Sequence, residues 1–193
     1  MIKKTPLCKL AEKYGADKCP KIGHMYTPFY YEYLKDKKHT FKKILEVGVG
    51  NHRQIKLIPN GVIGASIRMW RDFFPNAMVY GADIAPECIF EDERIKTFHC
   101  DELKEEDILN LVKNTGTDID LVVDDACHHF HNQVFLFTHL MPLLKKDVIY
   151  IVEDCRRTRM MRKMFPQYNY FIPQFPPNDR FKTHDGVIIF TNK

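Results

Sequence analysis

The sequence predicts an α/β protein built on a seven-stranded, mostly parallel sheet, with helices on both faces and an antiparallel hairpin at its C-terminal end. Two features point there. Short apolar runs of strand length alternate with segments of helical pattern along most of the chain. A parallel strand pair needs a crossover long enough to return, which a helix supplies. Acidic residues also recur where the runs end, at Glu46, Asp83, Asp101, Asp124–Asp125 and Glu153–Asp154. In open sheets of this kind ligands bind beyond the carboxyl ends of the strands, so these acids are expected to share one rim.

The elements follow in order. An N-terminal helical region, residues 1–40, holds LCKLAEKYG (7–15), ended by a glycine, and TPFYYEYLKDK (27–37). The core, residues 41–193, opens with KKILEVGVG (42–50), an apolar strand that runs into a glycine turn. Polar residues, a proline and another glycine (NHRQIKLIPNGVIGAS, 51–66) then delay the helix ASIRMWRDFFP until about Ala65. Strands AMVYGADI (77–84) and IKTFHCD (95–101) lead to the helix EEDILNLVKNTG (105–116), which has acids in its first turn and glycine at its end. IDLVVDD (119–125) and DVIYIVEDC (147–155) read as near-continuous apolar strands buried on both faces, joined by the helix NQVFLFTHLMPLL (132–144). The helix RTRMMRKMF (157–165) precedes two last strands, YFIPQF (170–175) and GVIIFTNK (186–193), separated by a proline-rich patch.

At 193 residues the chain is expected to form one domain, 1–193, with a full hydrophobic core. Its 45% hydrophobic and 28% charged residues are those of a globular protein and not of a disordered one. The net charge of +4 comes largely from scattered pairs such as Lys3–Lys4, Lys37–Lys38 and Lys42–Lys43, so a nucleic-acid groove is not expected. The start, MIKKTPLCKLAEKYG, lacks the apolar core of a signal peptide, and no run approaches the roughly 20 residues of a membrane span. Cysteines 8, 19, 88, 100, 127 and 155 form no CxxC pair, which suits reduced thiols in a cytoplasmic protein without a membrane partner, whether monomer or homo-oligomer.

The glycine turn narrows the ligand. Gly48 and Gly50 allow a sharp turn and a close approach, but the third glycine of GxGxxG is missing. Glu46, two residues before the first glycine, would face a pyrophosphate with like charge, whereas it suits the ammonium group of an amino acid. Asp83, at the end of the next strand, is placed to accept hydrogen bonds from a ribose diol. Asp101, beside Cys100, is placed to meet the exocyclic amine of adenine. An amino-acid end, a ribose and an adenine together describe S-adenosylmethionine. The segment at 51–66 then reads as a loop over its amino-acid end.

Longer blocks carry a resemblance. KYGADK…GHMYTPFYYEYL resembles a GTDK…HxYTxxY opening, ILEVGVG a first cofactor motif, and GASIRMWRDFFPNAMVYGADI the helix and strand that follow it. VVDDACHHFHNQ stands where a DDGSH-type segment is expected, and VIYIVEDC where IYVIEDL is. In this order and spacing, from about Leu7 to Asp154, the chain resembles the class I, Rossmann-like S-adenosylmethionine-dependent methyltransferases. Among these it is similar to the metal-dependent sugar O-methyltransferases of macrolide biosynthesis. The chain departs from that pattern at Ala126–Cys127, at the extra histidines His129 and His131, and in the basic CRRTRMMRK after Asp154. A separate N-terminal domain of the kind that shapes the sugar pocket in some of these enzymes is not expected within these 193 residues.

The resemblance implies a site. Glu46, Gly48, Gly50, Ser66, Asp83, Cys100, Asp101, Asp124 and Tyr26 would bind S-adenosylmethionine. Asp125, Glu153 and Asp154 would bind Mg²⁺ or another divalent cation. His128, with Asp125, would be catalytic, taking the proton of a sugar or glycan hydroxyl. The chemistry agrees: a bound cation lowers the pKa of an oxygen nucleophile, and magnesium takes carboxylate oxygens while keeping several waters. Asp124 is expected to cap its turn or bond the cofactor instead of binding metal. His129 and His131 read as surface, and a zinc site from Cys127, His131 and Cys155 lacks paired spacing. Trp70 reads as core, while Tyr26, Tyr30 and Tyr31 either close over the cofactor or pack on the sheet. The alternatives are another acceptor, such as a nucleic acid or phenol, and a non-catalytic adenosine-binding module.

Overall fold

The computed structural model describes residues 3–50, 62–176 and 186–193. Most of the loop expected over the ligand, residues 51–61, lies outside the described residues. The first helix, α1 (Pro6–Tyr14), starts where Thr5 Oγ1 accepts the Cys8 N–H at 3.2 Å and Pro6 fills the first position. It ends at Gly15 in the left-handed region, φ 74°. After α2 (Tyr26–Leu34) the chain enters β1 (Lys43–Val47), α3 (Ala65–Phe73), β2 (Met78–Asp83), β3 (Glu91–Asp92), β4 (Ile95–His99) and α4 (Glu105–Thr115). Next come β5 (Leu121–Asp124), α5 (Phe130–Leu140), β6 (Ile149–Val152), α6 (Thr158–Met164), β7 (Asn169–Phe171) and β8 (Ile188–Thr191).

The eight strands of the described residues join one sheet in the order β3-β4-β2-β1-β5-β6-β8-β7. β4, β2, β1, β5 and β6 run parallel, and β8 pairs antiparallel with both β6 and β7. The strand absent from the seven expected is β3, a two-residue pair of exposed acids with no apolar pattern to betray it. β7 is shorter than its apolar run and stops before Pro173, which has no N–H to give a ladder.

The strand period of two divides the core. Ile44, Leu121, Val123, Ile149 and Ile151 face one way, against Leu7, Tyr26, Tyr30, Ile67 and Trp70 of α1–α3. Leu45, Val47, Val122, Tyr150 and Val152 face the other, against Ile108, Leu111, Leu136, Phe137 and Met161 of α4–α6. Among the described residues no helix is long and apolar enough to cross a membrane. All six cysteines are free, five of them buried and Cys127 exposed.

Candidate active site

The parallel strands end nearly level. Ala82, Val47, Asp124 and Val152 form the last row paired across β2, β1, β5 and β6. The next residues along are Asp83, Gly48, Asp125 and Glu153, so the sequence-level acids arrive together. A cavity of about 720 Å³ opens there, lined by Gly48, Gly50, Ser66, Asp83, Cys100 and Asp101, and by Asp125, His128, Glu153 and Asp154. Its size is that of a small-molecule site.

Gly48 has φ +96°, and a Cβ built on it would lie 2.1 Å from the Asp125 carbonyl oxygen. The close approach that this glycine permits is therefore between two strand ends of the protein. Asp83 fastens the turn: Oδ2 accepts the N–H groups of Val49 (2.8 Å) and Gly50 (3.3 Å), and Oδ1 accepts that of Ala85 (2.9 Å). Asp101 Oδ1 accepts the Leu103 N–H at 3.1 Å.

Three of the expected cofactor residues stand outside the cavity lining among the described residues. Glu46 is fully buried; Oε1 accepts from Ser66 Oγ and Oε2 from Trp70 Nε1 at 2.6 Å. Burial pushes its pKa up to about 7 against the opposing pull of Lys18. Asp124 faces the α4–α6 side, is raised to about 8 by burial and takes a backbone hydrogen bond from Ala126. Its Oδ2 has no hydrogen-bond partner among the described residues. Tyr26 is buried and donates to Asp154 Oδ1 at 2.6 Å. Of the two roles open to the tyrosines, Tyr26 and Tyr30 show sheet packing, with their hydroxyls aimed at the acids.

At the ends of β5 and β6 the charges interlock. Lys18, only 1% exposed, donates to Asp125 Oδ2 and Glu153 Oε2, each at 2.5 Å. Tyr30 donates to Glu153 Oε1 at 2.8 Å, so both oxygens of Glu153 are engaged. Gln133 Nε2 holds the Glu153 carbonyl at 2.9 Å. His128 Nε2 sits 3.0 Å from Asp125 Oδ1, its Nδ1 3.5 Å from Asp154 Oδ2, and His24 Nε2 3.7 Å from the same oxygen. Burial opposes charge on Lys18, but Asp125, Glu153, Glu46 and Asp17 outweigh it and hold the ammonium well above the ordinary lysine value. Burial likewise opposes charge on His128, and its bond to Asp125 with the nearby acids brings it up to about 9. Asp125 is held below the carboxylate range: burial works against this, and Lys18 and His128 prevail.

His128 (φ 59°) and Asp154 (φ 48°) both occupy the left-handed region. Such a conformation costs an ordinary residue roughly 1–2 kcal/mol and persists where surrounding contacts over-determine it. One ligand atom each from Asp125, His128 and Asp154 lies within 4.8 Å of the others. Two carboxylates beside a cavity suit a hard divalent cation that keeps several waters, and the imidazole widens the choice to first-row metals. Of the expected ligands, Asp125 and Asp154 therefore stand open to a cation, while Glu153 is turned inward onto Lys18 and Tyr30. Lys18 and Gln133 had no assigned role in the sequence. The only signal for Lys18 was its place in the KYGADK block.

No family model matches the chain. It is 30% identical over 154 residues to the mycinamicin VI 2''-O-methyltransferase of Micromonospora griseorubida, covering 79% of this chain and 36% of that protein. It is 31% identical over 148 residues to the 8-demethyl-8-alpha-L-rhamnosyl tetracenomycin-C 2'-O-methyltransferase of Streptomyces olivaceus, covering 77% and 37%. The chain is a relative of these sugar O-methyltransferases. It spans just over a third of their length. Among solved structures, the MycE methyltransferase of the mycinamycin pathway, in complex with Mg, SAH and mycinamycin VI, superposes with a TM-score of 0.75 at 21% identity. That match covers 99% of this chain and 55% of that one. The sheet with its antiparallel C-terminal strands is thus the methyltransferase form of the Rossmann-like fold, shared with these relatives.

Proposed function

We propose that residues 1–193 act as a single S-adenosylmethionine-dependent O-methyltransferase domain, with a hydroxyl of a sugar or glycan as acceptor. The observation that carries the reading is the trio Asp125, His128 and Asp154 on the wall of a cavity that also holds the Gly48–Gly50 turn and Asp83. When bound, S-adenosylmethionine supplies an electrophilic methyl group, and a divalent cation such as Mg²⁺ at Asp125 and Asp154 makes the acceptor hydroxyl more acidic. The chain's own residues do the rest. Gly48, Gly50, Ser66, Asp83, Cys100 and Asp101 line the space for the methyl donor. Glu46 and Tyr26 support it from behind, through Ser66 and Asp154, and Asp124 supports it through the backbone of Ala126. His128 accepts the acceptor's proton, a role open to it only once the negative charge of Asp125 and Asp154 is offset. The N-terminal residues 1–40 belong to the unit, because Lys18, Tyr26 and Tyr30 complete the wall of acids.

The test is calorimetry with S-adenosylmethionine and S-adenosylhomocysteine, followed by methyl transfer to sugars, glycans, phenols and RNA with and without Mg²⁺. The expected outcome is binding of both adenosyl compounds and Mg²⁺-dependent transfer to a carbohydrate hydroxyl. His128→Ala should reduce turnover by about 10²–10⁴-fold, the usual contribution of a general base. Binding without transfer to any acceptor would favour the adenosine-binding module. Transfer that survives excess EDTA would remove the cation.

A further inference from the structure

A lysine is almost never fully buried unless paired, and Lys18 is paired twice. The segment carrying it, between α1 and α2, is tied down by backbone bonds from Thr27 N–H to the Lys18 carbonyl (2.9 Å) and from His24 N–H to the Asp17 carbonyl (2.6 Å). Its ammonium meets two carboxylates that stand side by side, one residue past the β5–β6 pairing of Asp124 with Val152. Like charges so placed in a low-dielectric interior repel, and each would disfavour ionisation of the other. Lys18 relieves that repulsion from the protein side, and Asp125 keeps its second oxygen, Oδ1, on the cavity side beside His128.

We infer that Lys18 is a built-in counter-cation: a positioning residue that holds the Asp125 and Glu153 carboxylates aligned before any metal arrives, and that limits how tightly the site takes one. The inference rests on the cation reading above. Lys18 and Tyr30 occupy both oxygens of Glu153, which leaves Asp125 Oδ1, His128 and Asp154 to face a cation from the cavity side. A fixed positive charge behind Asp125 also repels that cation. Affinity is thereby traded for geometry, since Glu153 stays locked on Lys18 and Tyr30.

The test is Mn²⁺ binding followed by electron paramagnetic resonance, with Mg²⁺ as competitor, on wild type, Lys18→Met and Lys18→Arg, alongside thermal unfolding with and without Mn²⁺. Lys18→Met should unfold at a lower temperature than wild type without cation, and gain more from Mn²⁺ than wild type gains. Its affinity for Mn²⁺ should rise about tenfold or more, because a unit charge within a few ångströms is worth at least that at an effective dielectric near 20. Lys18→Arg, which keeps the charge, should stay within about threefold of wild type. If Lys18→Met does not fold without cation, the same titration of Lys18→Gln decides, its amide still able to donate to one carboxylate. Equal or weaker Mn²⁺ binding in the neutral variant, with wild type binding normally, overturns the counter-cation role alone. Failure of every protein to bind Mn²⁺ overturns it together with the cation reading.

Discussion

Adding one methyl group at Gly48 tests the whole arrangement of the strand ends. In Gly48→Ala the new Cβ would sit 2.1 Å from the Asp125 carbonyl oxygen, 2.5 Å from its carbon and 2.8 Å from the Ala126 Cα. All three are backbone atoms, so no side chain can rotate away. The φ of +96° adds a conformational cost of about 1–2 kcal/mol for any L residue. Overpacking against a fixed neighbour adds about 1–3 kcal/mol more. Together about 2–5 kcal/mol is lost, which for a chain of this size lowers the melting temperature by about 5–15 °C. The displaced neighbour is Asp125 itself, so S-adenosylhomocysteine and Mn²⁺ binding should fall along with stability. Differential scanning calorimetry and titration calorimetry measure both. A Gly48→Ala protein that melts within 2 °C of wild type, by the same size scaling, and binds both ligands normally would refute the packing argument.

Two further outcomes follow from buried polar contacts. Trp70→Phe removes the indole N–H that Glu46 Oε2 accepts at 2.6 Å in a fully buried site, and should cost about 2 kcal/mol or more in urea unfolding. An unchanged midpoint would mean that the bond contributes nothing. Asp72 is held down to about 2: burial raises it, but hydrogen bonds from Tyr14, Lys13 and Arg71 lower it further. A depressed carboxyl stabilises the fold above its unfolded pKa, near 4, and loses that contribution as the pH falls toward 2. At neutral pH, Asp72→Asn should therefore be less stable than wild type by about 1 kcal/mol, once partial exposure is discounted. That gap should close by about pH 2 in parallel denaturation curves, and a gap independent of pH would exclude the linkage.

The parallel sheet was legible because its signals are local: apolar runs of strand length, helix-ending glycines and acids at strand ends all read directly from the chain. The expectation of a helix from about Ala65 matches α3, and the apolar reading of Trp70 matches its burial. What the sequence hid depends on distance. Lys18 meets Asp125 across 107 residues and Glu153 across 135, and no spacing rule reaches that far. Glu46 read as an acid facing a ligand's ammonium, yet its hydrogen-bond partners are Ser66 and Trp70, from a helix that the insertion at 51–61 separates from it. The two-residue strand β3 leaves no compositional trace, and the positive φ of His128 and Asp154 leaves only a faint one, since histidine and aspartate enter that region more often than most residues but far from regularly.

Strand parity explains why two adjacent pairs of acids behave so differently. In extended chain, neighbours point to opposite faces. Asp124, level with Val47 and Val152, therefore turns to the α4–α6 side and takes the Ala126 N–H, while Asp125 and Glu153 turn to the side where Lys18 and Tyr30 wait. Continued extension would send Asp154 away again. Its φ of 48° breaks the alternation, and Tyr26, also from the N-terminal helices, holds its carboxylate 2.6 Å away. His128 does the same for the β5 loop, which lets its imidazole lie between Asp125 and Asp154. The left-handed residues thus bring together what a regular strand would separate. The cost of their conformation, roughly 1–2 kcal/mol each, is offset by contacts from the N-terminal helical region and the opposing acids. A site of three convergent ligand atoms therefore depends on residues 1–40 as much as on the sheet whose ends it occupies.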